Sequence, residues 1–203
     1  MTTPTSLRLS ITTLGVLLVA LLFPACDGTS RQTTSVDHDQ ILARWDRGQA
    51  QVAGQPIATG QTVSAGATIH VGSDGPARLS LVDCPGSQLI LAAGSEVRLQ
   101  RQEGANGAPI LDIKLTDAGI AQLDLPDKGP YNLVGISGAV SRASVVGTLF
   151  VMERTGNKRD FLVVVQGQVK YHLRRTVARA LGLPEDDEVL VGGKQGANAD
   201  QSG

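Results

Sequence analysis

The feature that most constrains this chain is a two-residue hydrophobic period that returns repeatedly between glycines and prolines. In Ala77-Arg78-Leu79-Ser80-Leu81 the apolar side chains take alternate positions, and Val97 and Leu99 repeat this against Glu96, Arg98 and Gln100. Leu111, Ile113 and Leu115 alternate with Asp112 and Lys114, and Ala121, Leu123 and Leu125 with Gln122 and Asp124. Successive side chains of a strand point to opposite faces, so this spacing gives one apolar face to a strand and none to a helix. Further strands are predicted at residues 51–53, 68–71, 88–91, 148–153, 168–173 and 188–191. Residues 161–165 are apolar at every position, the pattern of a strand covered on both faces. Turn residues separate the runs at 73–76, 84–86, 155–158 and Gln166-Gly167.

About a dozen short strands without helix-length segments between them predict an all-β fold, either a β-sandwich or a coiled β-roll. No strict repeat period marks a regular β-helix. One segment departs from the pattern. Residues 174–184 read as a short helical insertion, with Val177, Ala180 and Leu181 on one face, Gly182 to end it and Pro184 to prevent its continuation. Its Arg174, Arg175 and Arg179 form a small basic patch just ahead of four acidic residues, Glu185 to Glu188. Two readings stand: opposite charges meeting across a surface connection, or a docking patch for an anionic partner.

The first 25 residues read as a signal peptide, with a membrane anchor that stays uncut as the alternative, rather than as part of the fold. Arg8 precedes an apolar run from Leu14 to Phe23, shorter than the roughly 20 residues that span a bilayer. Leu22-Phe23-Pro24-Ala25-Cys26 resembles the bacterial lipobox, in which the Cys after a small residue is acylated. That resemblance implies a lipid on Cys26 and a periplasm-facing lipoprotein of the bacterial cell envelope. Phe23 and Pro24 replace the usual Leu and small residue. Residues 26–39 are polar and read as a tether, residues 40–196 as the folded domain, and residues 197–203 as a disordered tail.

The chain offers little to catalysis. Eighteen basic and 19 acidic residues in 203 give a formal net charge of −1, which argues against a general grip on nucleic acid. Two cysteines exclude a disulfide framework and a multi-Cys zinc site. The three histidines, His38, His70 and His172, are isolated, and His172 alternates outward between Tyr171 and Leu173. Gly192-Gly193-Lys194 lacks the spacing of a phosphate loop, and Gly135-Ile136-Ser137-Gly138 lacks that of a nucleophile elbow. No catalytic residue, metal or cofactor is expected, and the chain does not read as an enzyme. Cys84 lies at a turn as a free thiol, either quiet or able to pair between chains. Trp45 reads as a lid on the core or as a sugar platform.

The order of these signals resembles the FecR-like periplasmic domain, the sensor-regulator domain of the ferric-citrate type. Gly60, Val63 and the run Gly66-Ala67-Thr68-Ile69-His70-Val71-Gly72 look like its opening element. Val145-Val146-Gly147-Thr148-Leu149-Phe150-Val151 matches its most specific one, and Gly167 and Val191-Gly192-Gly193 its end. Residues 45–195 are covered. Gly66, Ile69, Gly72, Gly147, Thr148, Phe150, Gly167 and Gly193 are thereby expected to determine the fold, with Phe150 plugging the core. Two residues stand inserted in 83–87. Few polar residues precede the apolar run, so no direct sigma-factor contact is expected. The resemblance implies a non-enzymatic envelope interaction domain that contacts an envelope protein, a receptor or membrane regulator, in signalling or transport. The alternative is a module binding cell-wall polysaccharide.

Overall fold

Alternation in the sequence becomes alternation of burial. A computed structural model of the chain describes residues 40–104, 106–156, 159–180, 188–193 and 195–200. They form strands β1 (Ile41–Arg47), β2 (Ala50–Val52), β3 (Gln55–Pro56), β4 (Thr62–Ser64), β5 (Thr68–Val71), β6 (Ala77–Leu81), β7 (Gln88–Leu91) and β8 (Glu96–Glu103). Strands β9 (Pro109–Leu115), β10 (Gly119–Leu125), β11 (Leu133–Ser137), β12 (Ser141–Thr155) and β13 (Arg159–Leu173) follow. A short helix α1 (Arg175–Ala180) then precedes β14 (Glu188–Gly192) and β15 (Gln195–Asp200). The fold is all-β.

All fifteen strands belong to one sheet, whose main path runs β3-β2-β5-β8-β9-β11-β12-β10-β7-β6-β1-β4. Among the described residues only β9 and β11 pair in parallel. The sheet curls until its ends meet. Strand β4 closes one end against β1, whereas β5, three linking residues later, pairs with β8 near the other. Between them the Ala65 N–H donates to the Gln40 carbonyl (2.8 Å) and the Gly66 N–H to that of Leu99 (2.7 Å). This seam makes the molecule a roll rather than a sandwich of two separate sheets. Inside it lie Trp45, Ile69, Leu79, Leu89, Leu99, Ile113, Leu123 and Phe150, all fully buried. The indole N–H of Trp45 donates to the Gly48 carbonyl at 3.2 Å, so this residue is a core member.

Strands β12 and β13, of 15 residues each, form a hairpin that serves both halves of the roll. The first part of β12 pairs with β11 and the later part with β10, while β13 carries β15 along 159–164 and β14 along 168–172. The hairpin register shifts between Val146 and Phe150. There Gly147 has φ +66° and Gly167 φ +85°, and a Cβ on Gly167 would run into the Gly147 carbonyl oxygen. A bulge with glycine in the left-handed region bends a strand without ending it. Gln166-Gly167 is therefore a corner inside one strand, not the chain reversal the sequence suggested.

A buried carboxylate fixes the β11–β12 turn. Asp160 is fully buried, and its Oδ2 accepts from the N–H groups of Val140 and Ser141 (2.8 Å each) and from the Ser141 hydroxyl (2.9 Å). Its Oδ1 accepts from the Ala139 N–H at 2.9 Å. Gly138 has no side chain because a Cβ there would fall on this carboxylate.

Three sequence expectations need correction, and the predicted short helix is present as α1. Residues 161–165 are covered on one face only: Leu162 and Val164 are buried, while Phe161, Val163 and Val165 face solvent. Gln195–Asp200 pair with β13 as β15, so residues 197–200 are not a disordered tail; a ladder partner overrides their polar composition. His172 is half-buried rather than facing solvent. The helix spans Arg175–Ala180 and buries Val177 and Ala178; Leu181, Gly182 and Pro184 lie outside the described residues. Cys26 and all of residues 1–39 lie outside them too.

Candidate functional site

Beside the Gly147–Gly167 corner, where β9, β11, β12 and β13 run side by side, polar side chains converge on the outer face. Register places Lys114, Ser137, Arg142, His172 and Glu188 in one row across five strands. Asp112 sits one position over, opposite Gly135. A Cβ on Gly135 would stand 2.5 Å from the Ala143 carbonyl oxygen, so this position stays bare and leaves room for Asp112 to reach across. The Ser137 hydroxyl donates to the Asp112 carboxylate, 2.9 Å from either oxygen. Arg142 approaches the same carboxylate with Nη2 3.4 Å from Oδ1.

Asp112, Ser137, Arg142 and His172 floor a cleft of about 450 Å³ lined also by Gln102, Leu173, Arg174 and Arg175. Asp112 and Ser137 are buried, and about a quarter of the Arg142 side chain is exposed. Burial first, and the Arg142 charge second, hold the His172 imidazole below its ordinary pKa, with Glu188 opposing. The imidazole is therefore neutral at pH 7. Further out, Lys170 pairs with Glu188 at 2.9 Å.

Of the sequence-predicted patch, Arg174 and Arg175 reach the cleft wall, whereas Arg179 is exposed on α1 and does not line the cleft. The Arg174 N–H donates to the Val140 carbonyl (2.8 Å), tying the start of α1 to the β11–β12 turn. Asp112, Ser137 and Arg142 escaped sequence reasoning because Ser137 and Arg142 lie 25 and 30 residues beyond Asp112, and the alternation marked Asp112 alone as outward-facing. The residues named by the FecR-like resemblance do not line the cleft. Ile69 and Phe150 are fully buried and Thr148 nearly so. The Gly66 carbonyl accepts from Arg98 Nε (2.9 Å), the Gly72 N–H donates to Gln49 O (2.9 Å), and Gly193 packs against β13.

A second surface lies on the other side of the corner. Cross-strand rows Ile120–Glu153–Phe161 and Gln122–Val151–Val163 run over β10, β12 and β13. Ile120, Phe161, Val163 and Val165 are 38, 36, 51 and 48% exposed, with Leu149 and Val151 half-buried among them. On the edge strand β14, Val189 and Leu190 are also exposed.

Elsewhere, Cys84 is a free, buried thiol whose Sγ–H donates to the Lys128 carbonyl at 3.4 Å. Burial, then the Asp83 and Asp127 charges, push its pKa up to about 12. Tyr131 is buried with its hydroxyl donating to Asp83 Oδ2 at 3.1 Å, and Tyr171 is also buried. Exposed His70 pairs with Glu96 at 2.7 Å. Among the described residues, no helix is long and apolar enough to cross a membrane.

No protein-family model and no curated protein matches the sequence. Two crystal structures of a protein described as a "putative anti-sigma factor" from Parabacteroides distasonis ATCC 8503 are similar at 13% and 14% identity, each with a TM-score of 0.48. Each alignment covers 66% of this chain and 55% of that one, so this chain spans about half the length of those structures. A likeness of that size carries no argument about function.

Proposed function

We propose that the protein is a non-enzymatic interaction domain of the bacterial cell envelope. In this reading residues 1–25 export it, a lipid on Cys26 anchors it, and it works in a signalling or transport assembly through protein–protein contact. The observation that carries the contact is the apolar stripe on β10, β12 and β13. Isolated apolar residues on a surface need no explanation, but a contiguous set across three paired strands is the kind of surface that a protein partner covers. The FecR-like sequence elements supply the compartment and the class of partner, a receptor or membrane regulator.

Burial of Trp45, Tyr131 and Tyr171, the rings on which the polysaccharide alternative relied, weighs against it, since a sugar platform needs an exposed ring; the exposed ring of Phe161 belongs to the apolar stripe. A photo-crosslinking residue at Val163, used in membranes of the producing cell, tests the reading. A discrete adduct with an envelope protein, lost when Phe161→Asp is added, is the expected result. Recovery of wall glycan without a protein adduct would instead favour the alternative. Incorporation of labelled palmitate that disappears in Cys26→Ser is the result expected of the anchor.

A further inference from the structure

We infer that the cleft between β9, β11, β12, β13 and α1 is a binding site for a carboxylate, with Arg142 as its central donor. Among the described residues Arg142 and Arg174 line the cleft beside one lining carboxylate, Asp112, while Arg175, also on the wall, has an interaction of its own. That carboxylate is already engaged, since the Ser137 hydroxyl bridges both of its oxygens. Arg142 is less well satisfied. Its ion pair to Asp112 is long, at 3.4 Å, and among the described residues neither Nε nor Nη2 has a hydrogen-bond partner. A guanidinium carries five N–H donors in a planar fork, and donors left unmet at a buried position are costly. A small turn of the side chain toward the cleft, where it is already partly open, would present that fork to an incoming anion.

Three features select a carboxylate among anions. Its planar pair of oxygens matches the fork geometry. The Asp112 charge beside Arg142 disfavours a dianion such as phosphate more than a single negative charge. Leu173 adds an apolar wall against which a short carbon chain can lie. His172 stays neutral in the same row, so it can take part in a hydrogen bond without adding charge, and the Gln102 amide supplies a further donor at the rim. A cleft of about 450 Å³ admits a small acid or the acidic tip of a peptide.

The test is a nuclear magnetic resonance titration of the mature protein, following the Arg142 Nε–H and His172 imidazole signals at constant ionic strength. Butyrate is one probe and an end-capped pentapeptide carrying one glutamate the other, with chloride as reference. Saturable shifts with at least one probe are expected. Arg142→Lys, which keeps the charge and loses the fork, should weaken binding about tenfold, and Arg174→Gln, on the cleft wall, about threefold. Saturation by butyrate identifies a small acid; saturation by the peptide alone identifies an acidic side chain of a partner. Shifts that grow linearly and equally with chloride would overturn the assignment. So would unchanged affinity in Arg174→Gln, the variant that decides the matter if Arg142→Lys fails to fold.

Discussion

Replacing Asp160 by Asn changes one atom in a fully buried position and should still be costly. The carboxylate takes four hydrogen bonds, three at Oδ2 and one at Oδ1, and three of the donors are backbone N–H groups that cannot move away. An amide has one acceptor oxygen. Placed at Oδ2 it keeps three bonds, but its NH2 then faces the Ala139 N–H, leaving a buried donor unmet at about 1–3 kcal/mol. The three surviving bonds also lose their charge assistance, roughly half their strength. Burying a neutral amide in place of an ion returns part of that loss. The net expectation is about 2 kcal/mol for Asp160→Asn and about 4 kcal/mol for Asp160→Ala, which strands all three N–H groups. Urea unfolding followed through Trp45, the single tryptophan, measures both as shifts of the midpoint at constant slope. The reasoning fails if Asp160→Asn unfolds within about 0.5 kcal/mol of the parent, the usual range of a neutral surface change. An Asn variant less stable than the Ala variant would refute the accounting as well.

Phe150 fills the core without residual exposure, so Phe150→Ala should cost about 3–5 kcal/mol, read by the same unfolding assay. At the corner, Gly147→Ala meets open space and should cost only the ~1–2 kcal/mol of a left-handed alanine. Gly167→Ala adds a collision with the Gly147 carbonyl, so its melting temperature should fall further; equal losses would remove the corner from the account. Burial raises Cys84 to about 12 from 9.0 and Tyr171 to about 12 from 10.0, for Tyr171 against a Ser141 hydrogen bond that lowers it and with a smaller push from the Asp160 charge. Their neutral forms thus contribute stability that is complete below about pH 9 and lost as pH rises toward 12. Cys84→Ala should flatten that alkaline decline, and the native thiol should resist alkylation at pH 8 until the protein unfolds. His172 is depressed, so its contribution is present above its ordinary pKa of 6.5 and declines as pH falls; a denaturation series from pH 7.5 to 5 in His172→Gln should lack that component.

Strands with clean alternation, such as β6, β9 and β10, were legible because each has one wet face. Strand β1 was not: bulges between Ile41 and Ala43 and between Trp45 and Arg47 break its period. Strand β11 was missed for another reason. Four of its five residues are buried, so no polar alternation marks it, and Gly135 and Ser137 look like loop residues. The reverse error occurred at 161–165, where apolar residues sit on the solvent face. Local pattern cannot distinguish a covered strand from one that exposes an apolar stripe. Asp160 reads as turn punctuation, and only the fold brings it to the turn at 138–141. The cleft was half legible: Arg174 and Arg175 stood out as neighbours, but Asp112, Ser137 and Arg142 meet through register alone.

The seam at Ala65–Ala67 bears on the order in which the chain folds. Six of the fourteen strand pairs among the described residues join consecutive strands, β6 with β7, β8 with β9 and β12 with β13 among them, and such contacts close quickly. Joining the roll is different, because β1 must find β6 and β4 while β5 finds β8. Until that happens the sheet is an open ribbon with two unpaired margins, each a template for a foreign strand. A chain emerging from N to C terminus makes β1 before any of its partners. It must hold that apolar strand, with Leu42, Ala43 and Trp45, against the short β4 alone until β6 appears about thirty residues later. The interval before closure is when this protein most needs a chaperone.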